Sequence, residues 1–406
     1  MTDKMQVNLR QVAMEILYEV QKNNGLLHVV LSDALKKYQY LDKNERSFIS
    51  RLVQGTEERK IELDYIIDSF SKTPVKKQKD VIRIILEMSV YQLKYMDSVP
   101  ASAVCNEAVK LAVKKNFGTL RGFVNGVLRN ISRNKEAIHY PDPEKTPAAY
   151  ISMRYSVPEW LAEMWIRDYG FEMTAEMGQA MLDDQKTTVR VRDSQNMAAV
   201  KEALRSEGLH IEEGCMLPEA LHLSGYDYLG NVGPFADGRI TAQDESAMLA
   251  AVAAGIAGGE SIIDVCAAPG GKSMHMADIL KDSGQVSARD LTEAKVLKIQ
   301  ENLKRTGLKN VSAEVKDALV FYPEDAQKAD IVMADLPCSG LGVMGRKADI
   351  KRSVTPEKIT ALAALQREIL SVVQHYVKPG GVLIYSTCTV SKAENEENMQ
   401  WFEEHF

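Results

Sequence analysis

"SIIDVCAAPGGKSMHMADIL", residues 261–280, joins a short β-branched run, a turn holding Gly270 and Gly271, and a segment that can be helical. A brief apolar run closed by a glycine turn reads as a buried strand that feeds a helix. Four similar runs follow: "QVSARD", "VSAEVKD", "ADIVMAD" and "GGVLIYSTC". Helix-capable segments separate them, with a long loop inserted after "ADIVMAD". Alternation of this kind predicts a parallel, doubly wound α/β sheet. In the strand order 3-2-1-4-5, ligands lie beyond the carboxyl ends of the strands.

The glycine turn and the strand ends carry the candidate ligand contacts. Gly270 and Gly271 let backbone approach a ligand where a Cβ would obstruct it. The spacing is neither GxGxxG nor GxxxxGK[ST], so a dinucleotide or polyphosphate loop is not indicated. Asp290 closes the second strand, where an acid can accept both hydroxyls of a ribose. Asp317 closes the third, where a carboxylate can accept from an adenine amino group. Strand-end acids after a glycine turn suit an adenosyl ligand without a polyphosphate, and S-adenosylmethionine fits. Taken singly, each acid could equally be a helix cap.

"DLPCSG" and "YSTCTV" end the fourth and fifth runs and place Cys338 and Cys388 in matching settings, fifty positions apart. Neighbouring strands lie about 4.8 Å apart, so both thiols should face one small space. A cysteine at a strand end is commonly just a small buried hydrophobe. Here the pair, with Asp335 and a ligand loop alongside, points to chemistry. "CAAPGGK", "DLPCSG" and "STC" resemble motifs of RNA cytosine-C5 methyltransferases, and that resemblance implies a thiolate adding to C6 of a cytosine, which makes C5 enamine-like and able to take a methyl group. An acid near N3 and the exocyclic amine should stabilise the adduct, and Asp335 is placed for that. The spacing leaves open which thiol is the nucleophile, because a Pro-Cys motif serves that role in DNA cytosine methyltransferases. A helix N-terminus or a cation such as Lys272 or Arg346 could lower the thiol pKa. Cys266 is expected to pack or lend its backbone, and Cys105 and Cys215 to be structural.

Residues 1–135 read as successive helices. "LRQVAMEILYEVQ" repeats apolar positions at helical spacing, "LDKNERSFISRLVQGTEERKIELDYIIDSF" follows Asp42 as an N-cap, and "KDVIRIILEMSVYQLKYM" is apolar enough for a central helix. "SAVCNEAVKLAVKKNFG" and "RGFVNGVLRNISRNK" complete the set. Residues 1–140 hold 23 Lys/Arg against 16 Asp/Glu, whereas the whole chain is at −6. A basic module on an acidic body suggests a polyanion partner. Lys110, Lys114, Lys115, Arg121, Arg129 and Arg133 could follow a phosphate backbone. "HYPDPEKTP" reads as a linker. A tryptophan-bearing helix, then a strand, a helix and a strand, form a small α/β element. Its Arg190 and Arg192 share one sheet face, either meeting RNA or simply solvated. Arg346, Lys347, Lys351 and Arg352, in "GRKADIKR", could grip phosphates beside a target base. That base would have to be unstacked.

The length of 406 residues predicts several domains, set at 1–138, 148–235 and 236–406. No run is long and apolar enough for a membrane span, and "MTDKMQVNLRQ" lacks a signal peptide's apolar segment. Five cysteines without CxxC spacing argue against a disulfide framework or a zinc site and for a reducing cytoplasm.

The helical front resembles the NusB-like RNA-binding fold, most specifically in "GFVNGVLRNI". "CAAPGGK", "DLPCSGLGVMGRKADIK" and "STC" resemble the motifs of RNA cytosine-C5 methyltransferases. Together they resemble the RsmB/Sun (Fmu) family of 16S ribosomal RNA methyltransferases over nearly the whole chain. That resemblance implies a multidomain protein: an all-α NusB-like domain, a small RRM-like α/β domain and a class I, Rossmann-like methyltransferase domain. It implies S-adenosyl-L-methionine held by Cys266, Ala267, Ala268, Pro269, Gly270, Gly271, Lys272, Asp290, Asp317 and Asp335. It implies Cys388 as nucleophile, Cys338 as the group assisting product release, and cytosine 967 of small-subunit rRNA as the usual target. A cytoplasmic monomer is expected. Transfer RNA as substrate, or a non-catalytic antitermination factor on the same scaffold, are the rival readings. The sequence stops at "WFEEHF" without the antiparallel hairpin usual in this class, so that either the chain is truncated or one sheet edge is unprotected. Arg192 stands where the family often has asparagine.

Overall fold

The computed structural model describes residues 7–23, 25–183 and 186–406. Two compact units emerge. One holds the helices between Leu9 and Ala180 together with the segment Val343–Ser353; the other holds both sheets.

The helical unit begins with α1 (Leu9–Lys22), α2 (Leu27–Lys37), α3 (Lys43–Glu58) and α4 (Lys60–Phe70). It continues with α5 (Asp80–Tyr95), α6 (Ala101–Lys114) and α7 (Arg121–Arg133). Asp42 caps α3 in a reciprocal box with Glu45, as the sequence predicts. The run after Asp42 forms two helices that meet at Arg59. α5 is the central helix, with Ile82 and every residue from Ile84 to Gln92 buried. Leu17, Ile49, Leu63 and Ile66 are fully buried around it, each contributing about 1.5–3 kcal/mol of hydrophobic stabilisation. α8 (Pro147–Tyr155), α9 (Glu159–Tyr169) and α10 (Phe171–Ala180) follow, with Trp165 completely buried on α9.

The second unit opens with β1 (Thr187–Val191), α11 (Met197–Ser206), β2 (His210–Glu213), β3 (Ala220–Ser224), α12 (Gly233–Ala236) and β4 (Ile240–Ala242). These strands form an antiparallel sheet in the order β2-β3-β1-β4. Next come α13 (Glu245–Ala253), β5 (Ser261–Asp264), α14 (Gly271–Leu280), β6 (Gln285–Asp290), α15 (Glu293–Thr306), β7 (Val311–Val315) and β8 (Ala329–Asp335). After α16 (Ile350–Ser353), which belongs to the helical unit, α17 (Pro356–Val373), β9 (Val377–Ser386) and α18 (Glu396–His405) complete the chain. The second sheet is parallel in the order β7-β6-β5-β8-β9, which is the 3-2-1-4-5 arrangement expected.

Two expectations about charged residues are corrected. Arg190 and Arg192 neither face solvent nor offer themselves to RNA. Arg190 is 2% exposed, and its Nη2 lies 2.7 Å from Asp278 of α14. Arg192 donates to Asp278 as well, and to the carbonyls of Gly238 and Thr306. Alternation placed both on one sheet face, and α14 covers that face. Lys351 is likewise unavailable as a phosphate contact. Its ammonium donates to the Glu58 carbonyl at 2.8 Å, and burial lowers its pKa to about 8. Arg352 pairs with Glu57, and the Asp349 carboxylate accepts from the Leu27 N–H at the start of α2. Residues 349–352 therefore stitch this segment to the helical unit.

Candidate active site

β5 ends at Asp264 and the chain turns through residues 265–270 into α14. Gly270 caps that helix at φ +104°, in the left-handed region, and a Cβ there would sit 3.4 Å from Ile299. Neighbouring strands hold the turn: Ala267 N–H donates to the Arg289 carbonyl (2.8 Å) and Ala268 N–H to Asp290 Oδ2 (3.0 Å). The other oxygen of Asp290 accepts from Leu291 N–H and Lys295 Nζ, each at 2.8 Å. Asp290 thus fixes the loop from the end of β6. Asp317 lies just past β7, accepts from Leu319 N–H at 2.9 Å, and borders a small cavity with Val265 and Tyr322.

Asp264, which the sequence reading missed, is 1% exposed and accepts from Ser273 Oγ at 2.5 Å, while its Oδ1 has no hydrogen-bond partner among the described residues. Burial, reinforced by Asp335, pushes its carboxyl up to about 7. Asp264, Asp290, Asp317 and Asp335 ring the turn, and Lys272 and Lys295 are each already paired with one of them. Such an acid-rich set fits hydroxyls, an amine and a sulfonium cation. It does not fit a polyphosphate.

Parallel pairing of β8 with β9 sets Asp335 opposite Ser386. Cys338 and Cys388 leave these two strand ends, and their sulfurs lie 3.2 Å apart. Cys388 N–H donates to the Cys338 sulfur at 3.3 Å, and Gly342 N–H to the Cys388 carbonyl at 3.1 Å. Asp335 accepts from Lys272 Nζ (2.7 Å) and from Ser386 Oγ (2.9 Å). Cys338 is raised well above an ordinary thiol pKa, first by its contact with Cys388 and then by burial. Cys388 is the exposed member of the pair. Burial pushes Cys266 up to about 12, which keeps it a thiol beside the loop. Lys272 was one candidate cation for activating a thiol; its ammonium is engaged by Asp335 instead. Arg346 and Lys347 are exposed, as are Lys114, Arg121 and Arg129; Lys115 is half-buried and paired with Glu15.

Behind the cysteines lies a polar cluster that the sequence reading also missed. Glu394, Gln366 and Asn398 are each 0% exposed. The signal was present in "KAENEENMQ", whose polar run six residues beyond Cys388 reads as a solvated helix start. Cys215, His222 and Glu245 form a separate group in the second unit. There the Glu245 carboxylate already accepts from three consecutive backbone N–H groups, at Cys215, Met216 and Leu217. That makes it a loop anchor.

A doubly wound sheet, an acid-rich glycine turn and the strand ends beyond them define a methyltransferase of the S-adenosylmethionine-dependent class. Residues 252–405 match the family described as 16S rRNA methyltransferase RsmB/F, residues 7–133 the NusB family, and residues 157–226 the RsmF/B-like ferredoxin-like domain. The probable ribosomal RNA small subunit methyltransferase B of Bacillus subtilis is 35% identical over 98% of this chain and 89% of its own length. The crystal structure of PH0851 superposes with a TM-score of 0.79 at 24% identity, covering 100% of this chain and 91% of that one. A methyltransferase homologue from Pyrococcus horikoshii gives 0.56 at 26% identity, covering 66% of this chain and 84% of that one. The chain belongs to the ribosomal RNA small subunit methyltransferase B family.

Proposed function

We propose that this chain transfers a methyl group from S-adenosylmethionine to C5 of a cytosine in 16S ribosomal RNA, with the family's usual cytosine 967 as target, through a covalent adduct to Cys388. One observation carries the reading: two thiols 3.2 Å apart at adjacent strand ends, beside Asp335. The cofactor supplies an electrophilic methyl group when bound. Residues 266–272, Asp290 and Asp317 would hold it, and Asp335 would stand between it and the target base.

Cys388 is the more exposed of the two cysteines. As a thiolate it adds to C6, and the new C–S bond moves electron density to C5, which then takes the methyl group. Asp335, fixed by Lys272 and Ser386, accepts from the exocyclic amine. A base from solvent then takes the C5 proton, and the electron pair of that C–H bond forms the C5–C6 double bond as the C6–S bond breaks, releasing the Cys388 thiolate and restoring the aromatic ring. The raised pKa of Cys338 supports its part: it keeps its proton while Cys388 carries charge, and that S–H steadies the departing thiolate. Arg346, Lys347 and the basic residues of α6 and α7 would bind phosphates. Five free cysteines fit a reducing cytoplasm, and the reading needs one copy of the chain. Among the described residues no helix is long and apolar enough to cross a membrane.

The test uses labelled methyl donor with purified 16S rRNA, and tRNA as the comparison substrate. Cys388→Ala should abolish transfer, and Cys338→Ser should leave protein covalently attached to RNA on a denaturing gel. An adduct that accumulates with Cys388→Ser instead would reverse the two roles. Bisulfite sequencing locates the modified cytosine.

A further inference from the structure

The two thiols sit on separate loops, which backbone contacts join at Leu336–Ser386 and Gly342–Cys388, and a buried side-chain cluster joins them a second time. We propose that Glu394 is a positioning residue whose buried side chain ties the Cys338 loop to the Cys388 loop and so sets the spacing of the two sulfurs. The inference rests on the catalytic reading of the pair given above.

Glu394 Oε1 accepts from Ser339 N–H at 2.8 Å, and Oε2 from the Ser339 hydroxyl. The same hydroxyl lies 2.7 Å from Thr389 Oγ1. Ser339 follows Cys338 and Thr389 follows Cys388, so one carboxylate and one hydroxyl join the residues next to both sulfurs. Gln366 closes the other side. Its amide donates to the Pro337 carbonyl (2.8 Å) and to Glu394 Oε1 (3.2 Å). Cys338 is thereby bracketed by fixed neighbours. Asn395, adjacent to Glu394, does the same for Cys388: its carbonyl oxygen accepts from Thr387 Oγ1 (2.6 Å) and its amide donates to the Thr389 carbonyl (3.0 Å).

Consecutive residues thus grip one loop each. Tyr385 and Asn398 both donate to Gln366 Oε1, which fixes the orientation of that amide. A buried acid whose oxygens are both engaged by one target residue is costly to keep unless its geometry serves a purpose. Here that geometry is the separation of two reacting groups. Misplacement by about 1 Å can lower a rate by roughly a hundredfold.

The experiment measures thiol juxtaposition apart from catalysis. Diamide takes one hydrogen from each of two thiols, becoming the hydrazine while an S–S bond forms. In the full-length protein without RNA, mass spectrometry of the Cys338–Cys388 cross-link follows its rate. Glu394→Ala should slow cross-linking and lower kcat about a hundredfold, with KM for RNA changed less than about threefold. Glu394→Gln keeps an acceptor for Ser339 N–H and should restore both to within about tenfold of the parent. Ser339→Ala, which leaves the carboxylate buried and the backbone contact intact, should show a smaller effect of the same kind. It also serves if Glu394→Ala does not fold, as judged by circular dichroism. Parent-like cross-linking in folded Glu394→Ala or, where that variant does not fold, in Ser339→Ala overturns the inference. A parent protein that cross-links normally but transfers no methyl group refutes the catalytic reading instead.

Discussion

Asp264 is a carboxyl that burial keeps protonated near neutrality, and it makes a pH-dependent contribution of definite sign. Its pKa rises to about 7 in the fold, against about 4 in an unfolded chain. Between those values the folded protein holds a proton that the unfolded one releases, so folding stability is greatest below pH 4 and falls as pH rises towards 7. Asp264→Asn removes the titration and keeps an acceptor for Ser273 Oγ. Without ligand, the parent should lose stability relative to this variant by up to about 4 kcal/mol between pH 4 and pH 7. Amide exchange of β5 and α14 at the two pH values checks this; equal pH dependence of parent and variant would refute it. At this scale the sequence placed Asp290, Cys338 and Cys388 at or just past strand ends and Gly270 in the turn into α14, each within a recognisable local pattern. It missed Asp264, whose character comes from what surrounds it. It missed Glu394 because the partners lie 28 and 55 positions away and have no local signature.

Between elements, the clasp joining β1 to α14 is the contact most open to test. Asp278 is the shared acid of Arg190 and Arg192, and Gln243 receives the remaining hydrogen bond from Arg190 Nε. Removing one partner of a buried pair leaves the other charge uncompensated, at a cost of roughly 3–5 kcal/mol. Asp278→Ala should therefore accelerate amide exchange in β1 and α14 together while α5 keeps its protection. Adding Arg190→Met should recover much of the loss, since an apolar side chain of similar length needs no counter-ion. Independent, additive effects of the two substitutions would show that the pair is not coupled. Period-two alternation made the shared face of Arg190 and Arg192 legible, as glycine and β-branched runs did the five strands. What covers a sheet face is set by a helix 86 to 88 positions later, and alternation does not encode it. Residues 343–353 teach the same lesson. Their basic residues read as a loop beside the site, yet Ala348 joins the helical core and Asp349 caps α2.

Over the whole molecule the charge is divided: residues 1–140 are net basic in a chain whose formal charge is −6. The sequence made that division visible, and with it the order of helical, small α/β and doubly wound parts. Contact with RNA through α6 and α7 is an electrostatic proposal and therefore predicts a salt dependence. Each phosphate neutralised releases condensed counterions, giving a slope of about −0.7 to −0.9 in log K against log salt per contact. Lys114, Arg121 and Arg129 are exposed on these helices. If all three meet phosphates, the triple alanine variant should bind 16S rRNA more weakly at low salt, with a slope shallower by roughly 2 to 3. Their removal should also weaken binding of unrelated RNA to a similar degree, because phosphate contacts position a nucleic acid without reading its bases. Filter binding across a salt series measures both quantities. An unchanged slope would assign the RNA contact to another surface, with Arg346 and Lys347 the next residues to substitute.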